Sequence, residues 1–196
     1  NEAVDVLFKE IETNWGSIDF LVYPLFFCAR HSVELQLKLL ISMVNEFNEY
    51  RDAKKNDIKL CGHNLDKLRK KLEEVIKKTD RRIREEYEKV DVISLQSFFD
   101  ESDPTSQSFR YVNDNNGEKL LKKSFNILKP HSDYQILFHF LEWMQEVIGE
   151  LYEEYDTKTY TNKLSRTDLE KIAKRLNTEK ECDCLTFLGE NKEIKN

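Results

Sequence analysis

Along most of the chain, apolar residues recur at spacings of three and four, the period of a helix that buries one face. Residues 2 to 14 put Val4, Leu7, Phe8 and Ile11 on one side, and Gly16-Ser17 ends that run. Residues 18 to 48 give the most hydrophobic helix. Pro24 interrupts it early, and because proline suits a first turn, the regular part is expected to start near Tyr23. The charged residues 51 to 59 read as a linker. Gly62-His63-Asn64 then opens a helix with Leu65, Leu68, Leu72 and Val75 on one face, and residues 81 to 100 look helical but less regular.

The segment Glu101 to Gly117, rich in Ser, Asp, Pro and Asn, is the largest break in the pattern. Within it, Phe109-Arg110-Tyr111-Val112 followed by Asn-Asp-Asn-Asn-Gly predicts a strand and a tight turn, with Glu118 to Leu121 returning. Residues 132 to 155 predict an amphipathic helix. Ile136, Phe140, Trp143, Met144, Val147, Ile148 and Leu151 form its apolar sector, opposite Glu142, Glu146, Glu150 and Glu153. Thr167-Asp168-Leu169-Glu170 is a capping box for a last helix to about Leu176, followed by a polar tail. The expected fold is all-α: an up-and-down helical bundle with a small inserted β-hairpin near residues 107–121. Residues 1–160 are expected to form the bundle, and residues 161–196 a C-terminal helix and tail packed on it or appended to it.

Composition narrows this picture. With five glycines and three prolines in 196 residues, an all-β fold is disfavoured. The longest apolar run, Phe20 to Cys28, is too short to span a bilayer. No signal-peptide pattern is visible, so the expected setting is cytoplasmic, with Cys28, Cys61, Cys182 and Cys184 reduced. A net charge of −6 excludes a surface that is wholly a nucleic-acid footprint and leaves a local basic groove open. The basic run Lys67 to Arg84, with acidic residues interleaved, reads either as such a patch or as the solvated side of an amphipathic helix.

The candidate chemistry centres on the second helix. At about 100° per residue, Arg30, Glu34 and Lys38 lie along one line, with His31 and Asn45 close by. Apolar residues cover most of the remaining circumference, so this helix belongs in the middle of a bundle and its charged stripe faces a cleft, a partner or an ion-pair network. Two readings stay open. Arg30 and His31 could line a pocket for phosphate or nucleotide, or Arg30, Glu34 and Lys38 could form a ladder satisfied within the helix. His63, at a helix start where backbone N–H groups attract anions, is either a site residue or a capping one. Cys61-x-His63 and Cys182-x-Cys184 are too closely spaced for the usual structural zinc site, so no metal is expected. His139, among glutamates, is expected to be exposed and inert. No phosphate loop, dinucleotide fingerprint, nucleophile elbow or metalloprotease motif occurs.

Three stretches together carry a resemblance. Tyr23-Pro24-Leu25, continued by Ala29-Arg30-His31-Ser32-Val33-Glu34-Leu35-Gln36-Leu37-Lys38, resembles the core helix of bacterial HEPN-like proteins. Gly62-His63-Asn64-Leu65-Asp66-Lys67-Leu68 resembles the start of their next helix, and Phe109-Arg110-Tyr111 resembles an Arg-Tyr segment that follows. The resemblance implies a helical bundle that homodimerises in a prokaryotic defence or toxin–antitoxin setting, with RNA or a nucleotide as ligand and an operon partner protein. Many family members are metal-independent ribonucleases whose signature is an Arg followed four to six residues later by His. This chain departs from that signature: none of its four histidines has an Arg four to seven positions upstream. What the resemblance carries over is a polar pocket built from Arg30, His31, Glu34, His63, Arg110 and Tyr111, with Lys38 of the charged stripe as a further ligand-binding candidate. His63 or His31 would move protons in it, Arg30 and Arg110 would clamp phosphate, and no cofactor would be needed. A non-enzymatic dimerising module that regulates a neighbouring effector fits the same residues.

Overall fold

The computed structural model describes residues 2–14, 18–52, 62–103, 109, 127–157 and 168–176. Its elements are α1 (Glu2–Thr13), α2 (Ile18–Asp52), α3 (Leu65–Ile76), α4 (Arg81–Tyr87), α5 (Val92–Ser102) and α6 (Leu128–Asp156). A further helix, α7, spans residues 168–176. The described residues contain no strand, so the fold they show is all-α. The hairpin expected near 107–121 lies outside them except for Phe109, which sits in a turn. The chain divides into two compact units, Asn1–Gly149 and Glu150–Asn196.

In the first unit α2 is the central helix, 35 residues long. It starts at Ile18, not near Tyr23 as the sequence suggested, so Pro24 lies inside it. An interior proline removes one backbone hydrogen bond and crowds the carbonyl four residues back, at a cost of about 3 kcal/mol. Leu25 and Phe26, in the same turn, are fully buried, and packing of that size offsets the loss. α1 buries Val4, Phe8 and Ile11 and packs on α2.

α3 also packs on α2. Its first end meets Arg30 through the His63 carbonyl. Its far end meets Asn48 through the Val75 carbonyl and Arg51 through the Lys78 carbonyl. Contacts that advance together along both helices mean that α3 runs in the same sense as α2. The strict up-and-down alternation expected from sequence therefore fails at this pair. The region read as one helix over 81–100 is two, α4 and α5. Asp80 and Asp91 cap them, their side chains accepting from Arg82 N at 2.9 Å and Ser94 N at 3.1 Å, the role short polar side chains favour.

On α6 the expected apolar sector is buried in part. Phe140, Met144, Ile148 and Leu151 are buried as expected, whereas Ile136 is 51% and Trp143 49% exposed. The buried arc is rotated away from these two and takes in Tyr134, Leu137 and Leu141. The neighbours set this rotation: the Tyr134 hydroxyl, for example, lies 3.0 Å from Ser32 Oγ on α2. Met144→Ala should therefore lower the unfolding free energy by about 2–5 kcal/mol, and Ile136→Ala by less than about 0.5 kcal/mol. Urea titrations of the two variants check this; a loss for Ile136→Ala as large as that for Met144→Ala would show that Ile136 is packed as well.

In the second unit, Leu151 and Tyr155 at the end of α6 are buried, while Ile172 and Leu176 on α7 are exposed. No helix among the described residues is long and apolar enough to cross a membrane.

Candidate functional site

Arg30, Glu34 and Lys38 follow one another on α2 at one-turn intervals, so their side chains meet along a single line. Arg30 Nη1 donates to Glu34 Oε2 at 3.3 Å, and Lys38 Nζ donates to Glu34 Oε1 at 2.7 Å. The ladder foreseen from spacing therefore exists, but its setting is unlike a surface stripe. Arg30 is 2% and Glu34 1% exposed, and the helix instead presents Leu35 and Leu39 to solvent.

Two distant segments cover the ladder. After α5, Asp103 turns back; its backbone carbonyl accepts from Arg30 Nε at 3.1 Å, and its Oδ2 lies 3.3 Å from the same nitrogen. Before α3, Gly62 adopts a φ of +91°, a conformation open to glycine and strained for other residues. His63 follows this turn and meets α2 twice. Its carbonyl accepts from Arg30 Nη2, and its ring Nδ1 lies 2.8 Å from Glu34 Oε1. Asn64 then caps α3, its side chain accepting from Lys67 N at 2.8 Å. All three nitrogens of the Arg30 guanidinium are thus engaged inside the protein, and the residue joins α2 to the start of α3 and the end of α5.

Burial by itself pushes the Glu34 carboxyl up. Hydrogen bonds from Lys38 and His63, with their charges, outweigh it and hold Glu34 below the ordinary glutamate range. An ionised Glu34 retains the proton on His63 Nδ1, which leaves the Nε2 lone pair available. The His63 side chain is 61% exposed, so Nε2 is open to solvent beside the partly exposed Lys38. A histidine with one nitrogen fixed by a buried carboxylate and the other facing outward is equipped to accept or deliver a proton.

The other expected site residues lie elsewhere. His31 is half-buried, its ring parallel to Phe27 at 5.9 Å and its Nδ1 without a partner; it makes no hydrogen bond to the Arg30–Glu34–His63 group. Arg110 and Tyr111 lie outside the described residues. Their neighbour Phe109 is buried, 5.7 Å from Phe26. His139 is exposed, with Nδ1 3.3 Å from Glu142. Among the described residues no group of His, Cys, Asp or Glu could hold a metal ion. Cys61, Cys182 and Cys184 are not among them. Burial pushes the thiol of Cys28 up.

Sequence reading missed two buried groups. Asp103, 73 positions from Arg30, gave no signal beyond its place in a helix-ending Ser-Asp-Pro. Arg69 sits on the buried side of α3, ion-paired to Asp66 at 2.6 Å and to Glu73, where the sequence showed only one more charge in a basic run.

His131 is the buried histidine, stacked on Phe8 with centroids 3.4 Å apart. Burial lowers its proton affinity, against the opposing pull of Asp5 and Glu12. The unfolded chain takes up this proton near pH 6.5, the folded chain only at lower pH. Stability should therefore decrease as pH falls below about 6.5, until the folded pKa is passed. In His131→Phe the stability difference between about pH 7.5 and about pH 5 should shrink. Denaturant unfolding at the two pH values tests this, and an unchanged difference would assign the slope to other groups.

No family model matches the chain, nor does any curated protein or solved structure.

Proposed function

We propose that the chain is a HEPN-like effector or accessory protein of a prokaryotic defence or toxin–antitoxin system, which takes RNA or a nucleotide at the surface formed by His63 and Lys38. The family and its setting rest on the three sequence stretches described above. The chemistry rests on one observation: the exposed His63 ring, held through Nδ1 by the buried, ionised Glu34. In this reading His63 Nε2 takes the proton from a ribose hydroxyl as that oxygen attacks the adjacent phosphorus. The phosphorus–oxygen bond to the next nucleotide breaks, and the departing oxygen is protonated by solvent or by the charged His63. Lys38 supplies positive charge beside the phosphate. No metal enters this scheme.

A second reading, a dimerising module that binds without cutting, is favoured by Arg30. With all its guanidinium nitrogens engaged by Asp103, Glu34 and the His63 carbonyl, it is not free to clamp a phosphate, and that role falls to Lys38 or Arg110. The experiment that separates the readings is RNA cleavage in the presence of chelator by wild type, His63→Ala and His139→Ala, together with binding of the same RNA. Binding without cleavage selects the second reading; neither binding nor cleavage removes both.

A further inference from the structure

The exposed side of α3 and the turn that closes it carry five lysines, Lys67, Lys70, Lys71, Lys77 and Lys78, against three acidic residues, Asp66, Glu73 and Glu74, in a chain of net charge −6. Leu65, Leu68, Leu72 and Val75 take the buried face of α3. Lys67, Lys70 and Lys71, at spacings of three and four, fall on the opposite side, and the exposed Lys77 and Lys78 follow in the turn that closes the helix. Lys70 and Lys71 reach Asp66 and Glu74 at 2.7 and 3.4 Å, surface pairs that water and salt weaken. Lys67, Lys77 and Lys78 make no ion pair among the described residues. No large apolar side chain is exposed on α3, which disfavours a lipid surface, since interfacial helices also bury an apolar face.

His63 stands two positions before α3, at the end of this row of cations. At 1.5 Å per residue, Lys67 and Lys78 are about 16 Å apart. One nucleotide cannot touch both His63 and the far lysines, whereas a chain of phosphates can.

We infer that the lysine face of α3 tracks the backbone of single-stranded RNA and delivers one of its phosphates to His63. The inference rests on the site proposed above and gives that site its substrate class, an oligonucleotide of several residues and not a mononucleotide. Each lysine that neutralises a phosphate releases counterion, so binding weakens with salt by a log–log slope of about −0.7 per contact on a single strand.

The test is fluorescence anisotropy of the full chain with labelled RNAs of about 4 and about 16 nucleotides over a salt series, and calorimetry with adenosine monophosphate. Four proteins are compared: wild type, Lys67→Glu/Lys78→Glu, His63→Ala, and Lys9→Glu/Lys129→Glu. The last changes two exposed lysines on α1 and α6 and alters net charge equally. Circular dichroism confirms the folding of each. The 16-mer should bind wild type more tightly than the 4-mer. The Lys67/Lys78 reversal should make its salt slope shallower by about 1.4, two contacts' worth, while the Lys9/Lys129 reversal leaves it unchanged. Equal affinity for both lengths, an inert Lys67/Lys78 reversal, or equal effects of the two reversals overturns the lysine face. If His63→Ala then still weakens both RNAs, the site itself stands. Weakening by the Lys67/Lys78 reversal with none by His63→Ala supports the face and overturns delivery to His63. No binding of either RNA overturns both.

Discussion

Arg30→Ala should destabilise the protein by about 3–5 kcal/mol, the range for breaking a buried ion pair by removing one partner. Arg30 is almost wholly buried, and its guanidinium satisfies the Asp103 carbonyl, the Asp103 and Glu34 carboxylates and the His63 carbonyl. Alanine would leave two buried carboxylates short of their counter-charge and two carbonyls short of a donor, and would open a cavity in α2. Arg30→Lys should recover only part of the loss, because one ammonium cannot replace a planar fork reaching three segments. Arg81→Ala serves as control. Its pair with Glu85 is exposed on both sides, and the expected change is below about 0.5 kcal/mol. Urea midpoints at constant m-value give the comparison. A loss below about 1 kcal/mol for Arg30→Ala would show that the buried network carries no net stability, as happens when desolvation cancels attraction.

If the chain cleaves RNA, His63→Ala should reduce kcat by about 10²- to 10⁴-fold, the usual contribution of one general acid–base group, and His139→Ala should leave it nearly unchanged. The structure makes the first variant informative. Arg30 holds the His63 backbone carbonyl, not its ring, so the latch between α2 and α3 survives loss of the imidazole. Asn64, which caps α3, is also untouched. A fall in activity without a comparable fall in unfolding midpoint therefore assigns the effect to the ring. Equal losses in the two histidine variants would remove His63 from the chemistry. So would cleavage abolished by chelator, which would point to a metal-dependent route.

Legibility of this molecule followed the range over which each interaction acts. The helices of α1, α2, α3 and α6 were readable because burying one face imposes a period of 3.6 on the residues themselves. The Arg30–Glu34–Lys38 ladder was readable because its members are one turn apart, and the role of Gly62-His63-Asn64 at the start of α3 because turn and cap are local chemistry. The break between α4 and α5 was equally local, with Asp91 as its cap, but a weak apolar pattern hid it. Arg110, Tyr111 and the expected hairpin remain sequence expectations.

The sequence by itself thus determined the helical class and the residues that form the charged line on α2. Only the tertiary structure decided that this line is buried. Burial of Arg30 and Glu34 requires partners 73 and 29 positions away, the Asp103 and His63 that Arg30 and Glu34 bind, and no periodicity encodes such pairings. The register of α6 was settled in the same way. Apolar residues cover more of α6 than one buried face can take, and the packing takes Leu137, Leu141 and Met144 into the core while leaving Ile136 and Trp143 exposed. The exposed Nε2 of His63 is the clearest case. A histidine beside a glycine reveals nothing about which nitrogen is held. That is fixed by a carboxylate on another helix, whose charge persists in a buried place because Lys38 and His63 both donate to it.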